Sequence, residues 1–359
     1  EQEGYHVIAS DVREDYIKDL QNKKIDTTEP QVQELLEHSI NLKFTTDNLK
    51  VIEESDIIFT LVPTPSLEDG SYDVSAVDDV VSDFLKIGWK NKGSLVGKSL
   101  VVGCTTNPSD CDFFQEKLSE VGVDVYYNPE FIAQGSIVDD LRHADMVLLG
   151  GEGQHSGALE MIYYQIQNGF KVANVSTMSA KAAELTKIAI NCYLTTKITY
   201  ANQVGQVMIR DGMEDEVATV LKAIGSDSRI GTKYLNYGFG FGGPCFPRDN
   251  RAFAAYASKA GVETPLGATT DKFNDEHTEF LKEYFINKNK DNRAYVFHYL
   301  TYKDGVDILT ESRPYDLALS LLDAGYDVYC LDSTAKDRID SRIKFSDFPR
   351  MDQVCYVNL

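Results

Sequence analysis

Asp56-Ile57-Ile58-Phe59-Thr60-Leu61-Val62, closed by Pro63 and Pro65, is an unbroken apolar and β-prone run. A run of this length with no polar alternation reads as a buried-type strand, and the prolines end it because they cannot donate to a ladder. Ser99 to Gly103 and Val123 to Tyr127 are two more such runs, and Val147-Leu148-Leu149 leads into Gly150-Gly151. Helical patterns separate them, as at Val77 to Ile87 and Asp112 to Val121. Strands alternating with helices predict a parallel sheet with helices on both faces, an α/β fold.

Towards the amino end, Gly4-Tyr5 is a turn, His6 to Ser10 a short β-prone run, and Asp11 stands at its end. This reads as the second strand of the same α/β unit. Beyond the last strand comes a helical stretch from about Ser179 to Arg210, free of Pro and without Gly until Gly205. It is longer than ordinary globular helices, so it bridges domains or forms an interface. A second helical run, Glu214 to Ile224, precedes a Gly-rich loop from Gly231 to Gly243, and Asn250 to Ala260 is helical again.

After the polar stretch Asn287 to Asn292 the α/β pattern returns: strand Ala294 to Tyr299, helix Tyr315 to Ala324, strand Tyr326 to Leu331 ending at Asp332. Gly325-Tyr326-Asp327-Val328 through Asp332 echoes Gly4-Tyr5-His6-Val7 through Asp11. Two similar α/β domains joined by a helical middle follow. At roughly 100–200 residues per domain, a chain of 359 residues accommodates this.

Hydrophobic residues make up 43% and charged residues 25%, an ordinary globular balance. No apolar run reaches the ~18–20 residues needed to cross a bilayer, and Glu1-Gln2-Glu3-Gly4 lacks the basic and apolar parts of a signal peptide. The net charge of −21 argues against nucleic acid and anionic membrane as partners, while leaving room for a small phosphorylated ligand. The six cysteines are scattered, with no paired spacing, which suits a reducing cytoplasm. The histidines are equally dispersed, and no metal site is expected.

Several residues stand where chemistry is done. Asp11, at a strand end, is either the carboxylate that holds an adenosine ribose or a plain turn residue. The glycine fingerprint that should precede such a carboxylate by roughly 20 residues has no room ahead of Asp11. Cys245 lies in Gly238-Phe239-Gly240-Phe241-Gly242-Gly243-Pro244-Cys245-Phe246-Pro247-Arg248-Asp249. It is a nucleophile whose thiolate Arg248 favours, or a structural thiol beside a Gly-rich turn. Lys187 and Asn191 share a helix face, flanked by apolar residues, where they would stabilise an oxyanion or simply be solvated. Glu130 and Thr105 follow strands at the ligand-binding edge of a parallel sheet, as proton or water handlers or as turn formers. Arg229, beside Gly231, is a phosphate grip or a surface residue.

Taken as a set, these stretches resemble the nucleotide-sugar dehydrogenase family. The resemblance rests on Val62-Pro63-Thr64-Pro65, Asn128-Pro129-Glu130-Phe131, Glu184-Leu185-Thr186-Lys187 with Asn191, Arg229-Ile230-Gly231, the Gly238 to Asp249 loop, and Tyr302 to Asp307 with Glu311-Ser312. It runs from Gly4 to about Asp332. It implies two Rossmann-like parallel-sheet domains joined by a central helical domain with one long helix. The NAD-binding domain would span residues 1–178, the central dimerisation domain 179–275, and the nucleotide-sugar domain 276–359. One strand and one loop of the family pattern would precede this chain.

The implied reaction is oxidation of a sugar C6 alcohol to a carboxylate with reduction of two NAD⁺. In this scheme Cys245 is the thiol that traps the aldehyde, Lys187 with Asn191 stabilises oxyanions, Asp249 and Glu130 manage water and protons, and Thr105 positions water. Asp11, Val62, Thr64, Pro65, Thr105, Gln134 and Arg248 would contact the cofactor. Phe131, Ile132, Ala133, Gln134, Lys187, Asn191, Tyr234, Leu235, Asn236, Gly242 and Lys303 would line the sugar pocket, and Arg229 would reach a nucleotide sugar on a neighbouring subunit of a homodimer. The implied substrate is a UDP-sugar, glucose by default, with GDP-mannose as the alternative.

This chain departs from the family pattern in places. Gln134 stands where a second glutamate is usual, and an amide cannot take a proton there. Arg248 replaces Lys with its charge kept, Asn236 replaces a Lys and removes one phosphate contact, and Gln203 replaces a Glu. Beyond Asp332 the pattern is shorter and less recognisable. Two other readings stand beside this one. A two-electron hydroxyacid dehydrogenase of the 6-phosphogluconate type would need Lys187 and Asn191 but no thiol. A redox-sensing or scaffold protein would keep the fold without the chemistry.

Overall fold

The computed structural model describes residues 1–167, 174–263 and 265–359. The chain divides into two compact units, Glu1–Lys187 and Ile188–Leu359. The long helix, Ala180–Arg210, contributes residues to both.

In the first unit, five strands lie side by side in chain order: Ile57–Thr60, Ser99–Val102, Asp124–Tyr127, Met146–Gly150 and Asn174–Met178. Three of the four pairings are parallel. The fourth departs from the all-parallel expectation, Asp124–Tyr127 meeting Met146–Gly150 antiparallel at Tyr127 and Gly150. Gly150 makes room for that meeting. A Cβ there would lie 2.7 Å from the Ala183 Cβ and 3.1 Å from the Tyr127 Cβ. A separate parallel pair, Val7–Ser10 with Leu42–Thr45, carries Asp11 at its end.

Ser99–Val102 is buried at all of its positions, as a central parallel strand should be. Against it packs Ser75–Lys90, whose Val77, Val81 and Phe84 recur at helical spacing on one wholly buried face. The apolar run from Asp56 differs from its reading. Its strand lies at the edge of the five-stranded sheet, and although Ile58 and Thr60 are buried, Phe59 and Leu61 are exposed.

In the second unit three parallel strands are ordered Val354–Val357, Ala294–Phe297, Val328–Cys330. Their core joins Tyr295, Phe297 and Val328 to Leu281 and Phe285 of Pro265–Lys288 and to Leu317 and Leu321 of Arg313–Asp323. A second core sets Ala201 and Met208 of the long helix against Val217, Leu221 and Leu235. The helix expected from Asn250 begins earlier, at Phe246. Pro247 is tolerated in its first turn, where no intrahelical N–H bond is lost, and Cys245 becomes the N-cap.

Candidate functional site

In the second unit the Gly238–Asp249 loop is pinned by backbone bonds. Asn274 brackets Phe241, accepting from its N–H at 2.9 Å and donating to its carbonyl at 2.8 Å. The Gly238 N–H donates to Asn202 Oδ1 at 2.9 Å, and the His277 ring meets the Gly238 carbonyl at 2.7 Å. Burial holds His277 neutral, its pKa lowered to about 4. Gly242 has no space for a side chain, since a Cβ would lie 2.2 Å from the Glu311 carbonyl oxygen. The Tyr302 ring lies against Gly243.

The loop delivers Cys245, exposed and in no disulfide, to the N-terminus of the helix Phe246–Lys259. Backbone N–H groups and the helix dipole favour a thiolate at such a position. Burial and the nearby Cys245 together push the Tyr302 phenol above its usual range. One turn into the helix, Asp249 is buried and accepts a 2.5 Å hydrogen bond from Asn191 Nδ2. Cys245, Asp249 and Asn191 are therefore brought together, with the Asp249 N–H donating to the Cys245 carbonyl at 2.9 Å. Arg248 turns its Nη1 back towards the Pro244 carbonyl at 3.4 Å.

In the first unit Lys187 donates its Nζ–H to the Glu130 carbonyl and lies over the Phe131 ring, 4.4 Å from the centroid. Burial raises the Glu130 carboxyl above its ordinary range, while the Lys187 charge draws it back down. Ile132 is half-buried, whereas Ala133 and Gln134 are exposed. Thr105 is half-buried just past Ser99–Val102, and Thr64 is buried past Ile57–Thr60 with Val62 partly buried and Pro65 exposed.

The cofactor-side residues fit a dinucleotide at its ribose. Arg13 grips both oxygens of Asp11, at 3.0 and 2.9 Å, and holds its carboxyl below the usual range. Asp11 is thus an ionised acceptor at neutral pH, as ribose hydroxyls require. The Arg13 N–H also donates to Asp11, as Thr334 N–H does to Asp332, both at 2.9 Å. The two echoing strand-end aspartates therefore form the same turn.

The remaining expected residues Arg229, Tyr234, Leu235, Asn236 and Lys303 all fall in the second unit. Arg229 is exposed and bidentate to Asp227 at 3.0 and 2.6 Å. Tyr234 is exposed with a left-handed φ of 62°, its ring 6.1 Å from that of Phe246. Leu235 is packed in the core, which leaves only its backbone to meet a ligand. Asn236 and Lys303 are exposed. Sequence reading overlooked Glu184, Asn202, Asn274 and His277. Glu184 had a signal, a carboxylate one turn from Lys187 on a largely apolar helix.

Residues 1–167 match the NAD binding domain of the UDP-glucose/GDP-mannose dehydrogenase family, and residues 181–276 match its central domain. The chain is 31% identical to UDP-glucose 6-dehydrogenase AglM of Haloferax volcanii, over 96% of this chain and 82% of that protein. It is 27% identical to a GDP-mannose 6-dehydrogenase of Pseudomonas savastanoi pv. phaseolicola, over 95% of this chain and 80% of the relative. A solved UDP-glucose dehydrogenase from Pyrobaculum islandicum superimposes with a TM-score of 0.81 at 26% identity, covering 99% of this chain and 81% of that one.

Proposed function

Because this chain belongs to the UDP-glucose/GDP-mannose dehydrogenase family, we propose that it carries out the four-electron oxidation of UDP-glucose to UDP-glucuronate through a covalent Cys245 intermediate. It is a NAD-dependent nucleotide-sugar dehydrogenase. The observation that supports the thiol chemistry is Cys245 itself, exposed at a helix N-terminus with Asp249 and Asn191 fixed one turn away.

Bound NAD⁺ supplies the hydride acceptor for each of two oxidations. Asp11, Thr64 and Thr105 are the groups assigned to hold it. In the first oxidation the C6 alcohol loses its proton to a carboxylate or water, and Lys187 stabilises the oxyanion that develops. The Cys245 thiolate adds to the resulting aldehyde and forms a thiohemiacetal, so the aldehyde does not escape. The second oxidation leaves a thioester. Water, its proton taken by Asp249 or Glu130, attacks the thioester carbonyl, expels the thiolate and releases the carboxylate. Gln134 cannot share that proton work. The seat of action assigned here is the cytoplasm, and the assembly a homodimer through Ala180–Arg210.

NADH formed per UDP-glucose consumed tests this reading, in the wild type and in Cys245→Ala. Two NADH per sugar, abolished in the variant, is the expected result. One NADH per substrate, indifferent to the variant, would replace it with a simple alcohol dehydrogenase. Turnover of GDP-mannose alone would keep the chemistry and change the sugar.

A further inference from the structure

Glu184 is a wholly buried carboxylate that the chemistry above does not use. It lies on Ala180–Arg210 one turn before Lys187 and accepts three hydrogen bonds from the segment that follows Ser99–Val102. Thr106 Oγ1 donates to Oε1 at 2.8 Å, the Cys111 N–H to the same oxygen at 2.9 Å, and the Ser109 N–H to Oε2 at 2.7 Å. Two of these donors are otherwise orphaned N–H groups at the start of the helix Asp110–Ser119, which the carboxylate caps from outside. Thr106 is the neighbour of Thr105.

We infer that Glu184 is a positioning residue, a carboxylate clamp that sets the Lys187 helix turn in register with the Thr105 strand end. This rests on the reading of Lys187 and Thr105 as site residues. A single carboxylate satisfying three donors defines one relative placement of the two elements. A carboxamide cannot reproduce it, because in either orientation its NH₂ faces a backbone N–H. Burial raises the Glu184 carboxyl to about 7 against the pull of its donors. Protonation removes the charge that draws the two backbone N–H groups and turns one acceptor oxygen into a donor, which weakens the clamp. The titratable group that faces it is the Cys111 thiol, raised by its own burial and then by Glu184, with Asp110 and Cys104 adding to that rise, and Lys187 follows one turn on along the same helix.

Glu184→Gln and Thr106→Val test the clamp in the full chain. Expected for Glu184→Gln is a loss of about 10- to 100-fold in kcat, with KM for the nucleotide sugar little changed. Wild-type kcat is expected to decline as pH falls through about 7, and this decline is expected to be absent in Glu184→Gln. Thr106→Val, which removes one donor and keeps the carboxylate, shows a smaller loss in the same direction. A folded Glu184→Gln with wild-type kcat and an unchanged pH profile overturns the inference. Should Glu184→Gln fail to fold, wild-type kcat in Thr106→Val overturns it instead. If the wild type oxidises no nucleotide sugar, the functional reading fails by itself. The clamp is then judged by the rate at which an amine-acylating reagent modifies Lys187, located by peptide mapping. A changed rate in either variant supports it, and identical rates overturn it.

Discussion

Asn191 donates its Nδ2–H to Oδ2 of Asp249 at 2.5 Å, tying the long helix to the first turn of the helix that Cys245 caps. Asp249 is buried, so Asn191→Ala strips a partner from a carboxylate that water does not reach freely. Losing such a bond costs about 1–3 kcal/mol, which a urea midpoint will register. Asp249→Asn keeps the shape and removes the base. It is expected to fold, to slow the release of acid, and to accumulate a covalent adduct on Cys245 visible in the intact protein mass. An Asp249→Asn variant with wild-type turnover and no adduct would exclude Asp249 from hydrolysis.

Glu130 titrates above its ordinary value of 4.5 because burial outweighs the Lys187 charge. The folded chain therefore binds this proton more tightly than the unfolded chain. Its contribution to stability is fully present below about 4.5 and is lost as pH rises through the folded value. Glu130→Gln should remove that slope, so its urea midpoint, compared with the wild type at pH 4 and pH 8, should gain on the wild type at the higher pH. Parallel slopes in the two proteins would mean that the group is not buried in solution.

Gln134 is exposed, so Gln134→Glu adds a carboxylate at little cost, within about 0.5 kcal/mol. If the hydrolytic step lacks a second proton acceptor, the variant turns over faster at neutral pH with an unchanged melting temperature. Single-turnover kinetics, separating acylation from acid release, should place the gain in release. A gain confined to acylation, or none, would show that Gln134 does not limit the hydrolytic step.

Much of the architecture was legible because apolar runs and their terminators report burial directly. Ser99–Val102 and the Val77, Val81, Phe84 face needed no tertiary information. Pro265–Lys288 escaped notice because Asp271, Lys272, Asn274, Asp275 and Glu276 dominate its first half. Its buried Asn274 and His277 serve the Gly238–Phe241 backbone, not a hydrophobic face. The start at Phe246 was hidden by Pro247, which reads as a breaker unless it falls in a first turn. Cys245, Lys187 and Glu130 were visible as residue types in a spacing. The clamp at Glu184 was not, because its three donors come from a segment over 70 positions away.

Gly242 admits no Cβ without displacing the Glu311 carbonyl, 2.2 Å from where that atom would sit. Backbone cannot yield as a flexible side-chain tip would, so Gly242→Ala should cost about 1–3 kcal/mol. The same shift should lower kcat/KM, since the loop leads directly into Cys245. Thermal melting and steady-state kinetics check both. An alanine variant with wild-type values in each would show that the loop is looser in solution.

Tyr193, Tyr200 and Val207 recur every seven residues along Ala180–Arg210, with exposures of 63, 52 and 63%. Large apolar side chains at this period mark one stripe of a helix, and a stripe of period seven suits a second helix packed along it. Buried aromatic side chains hide about 150–250 Å² each, and apolar area stabilises by roughly 25 cal/mol per Å². Covering the exposed parts of two tyrosines per chain, doubled by symmetry, favours association against the cost of bringing two chains together. The homodimer expected through this helix should therefore scatter light as two chains. Tyr200→Glu places two charges at the centre of the seam, where desolvation penalises them, and should scatter as one chain with an unchanged circular dichroism spectrum. If Tyr200→Glu remains a dimer, the assembly uses another face and the stripe is left to some other contact.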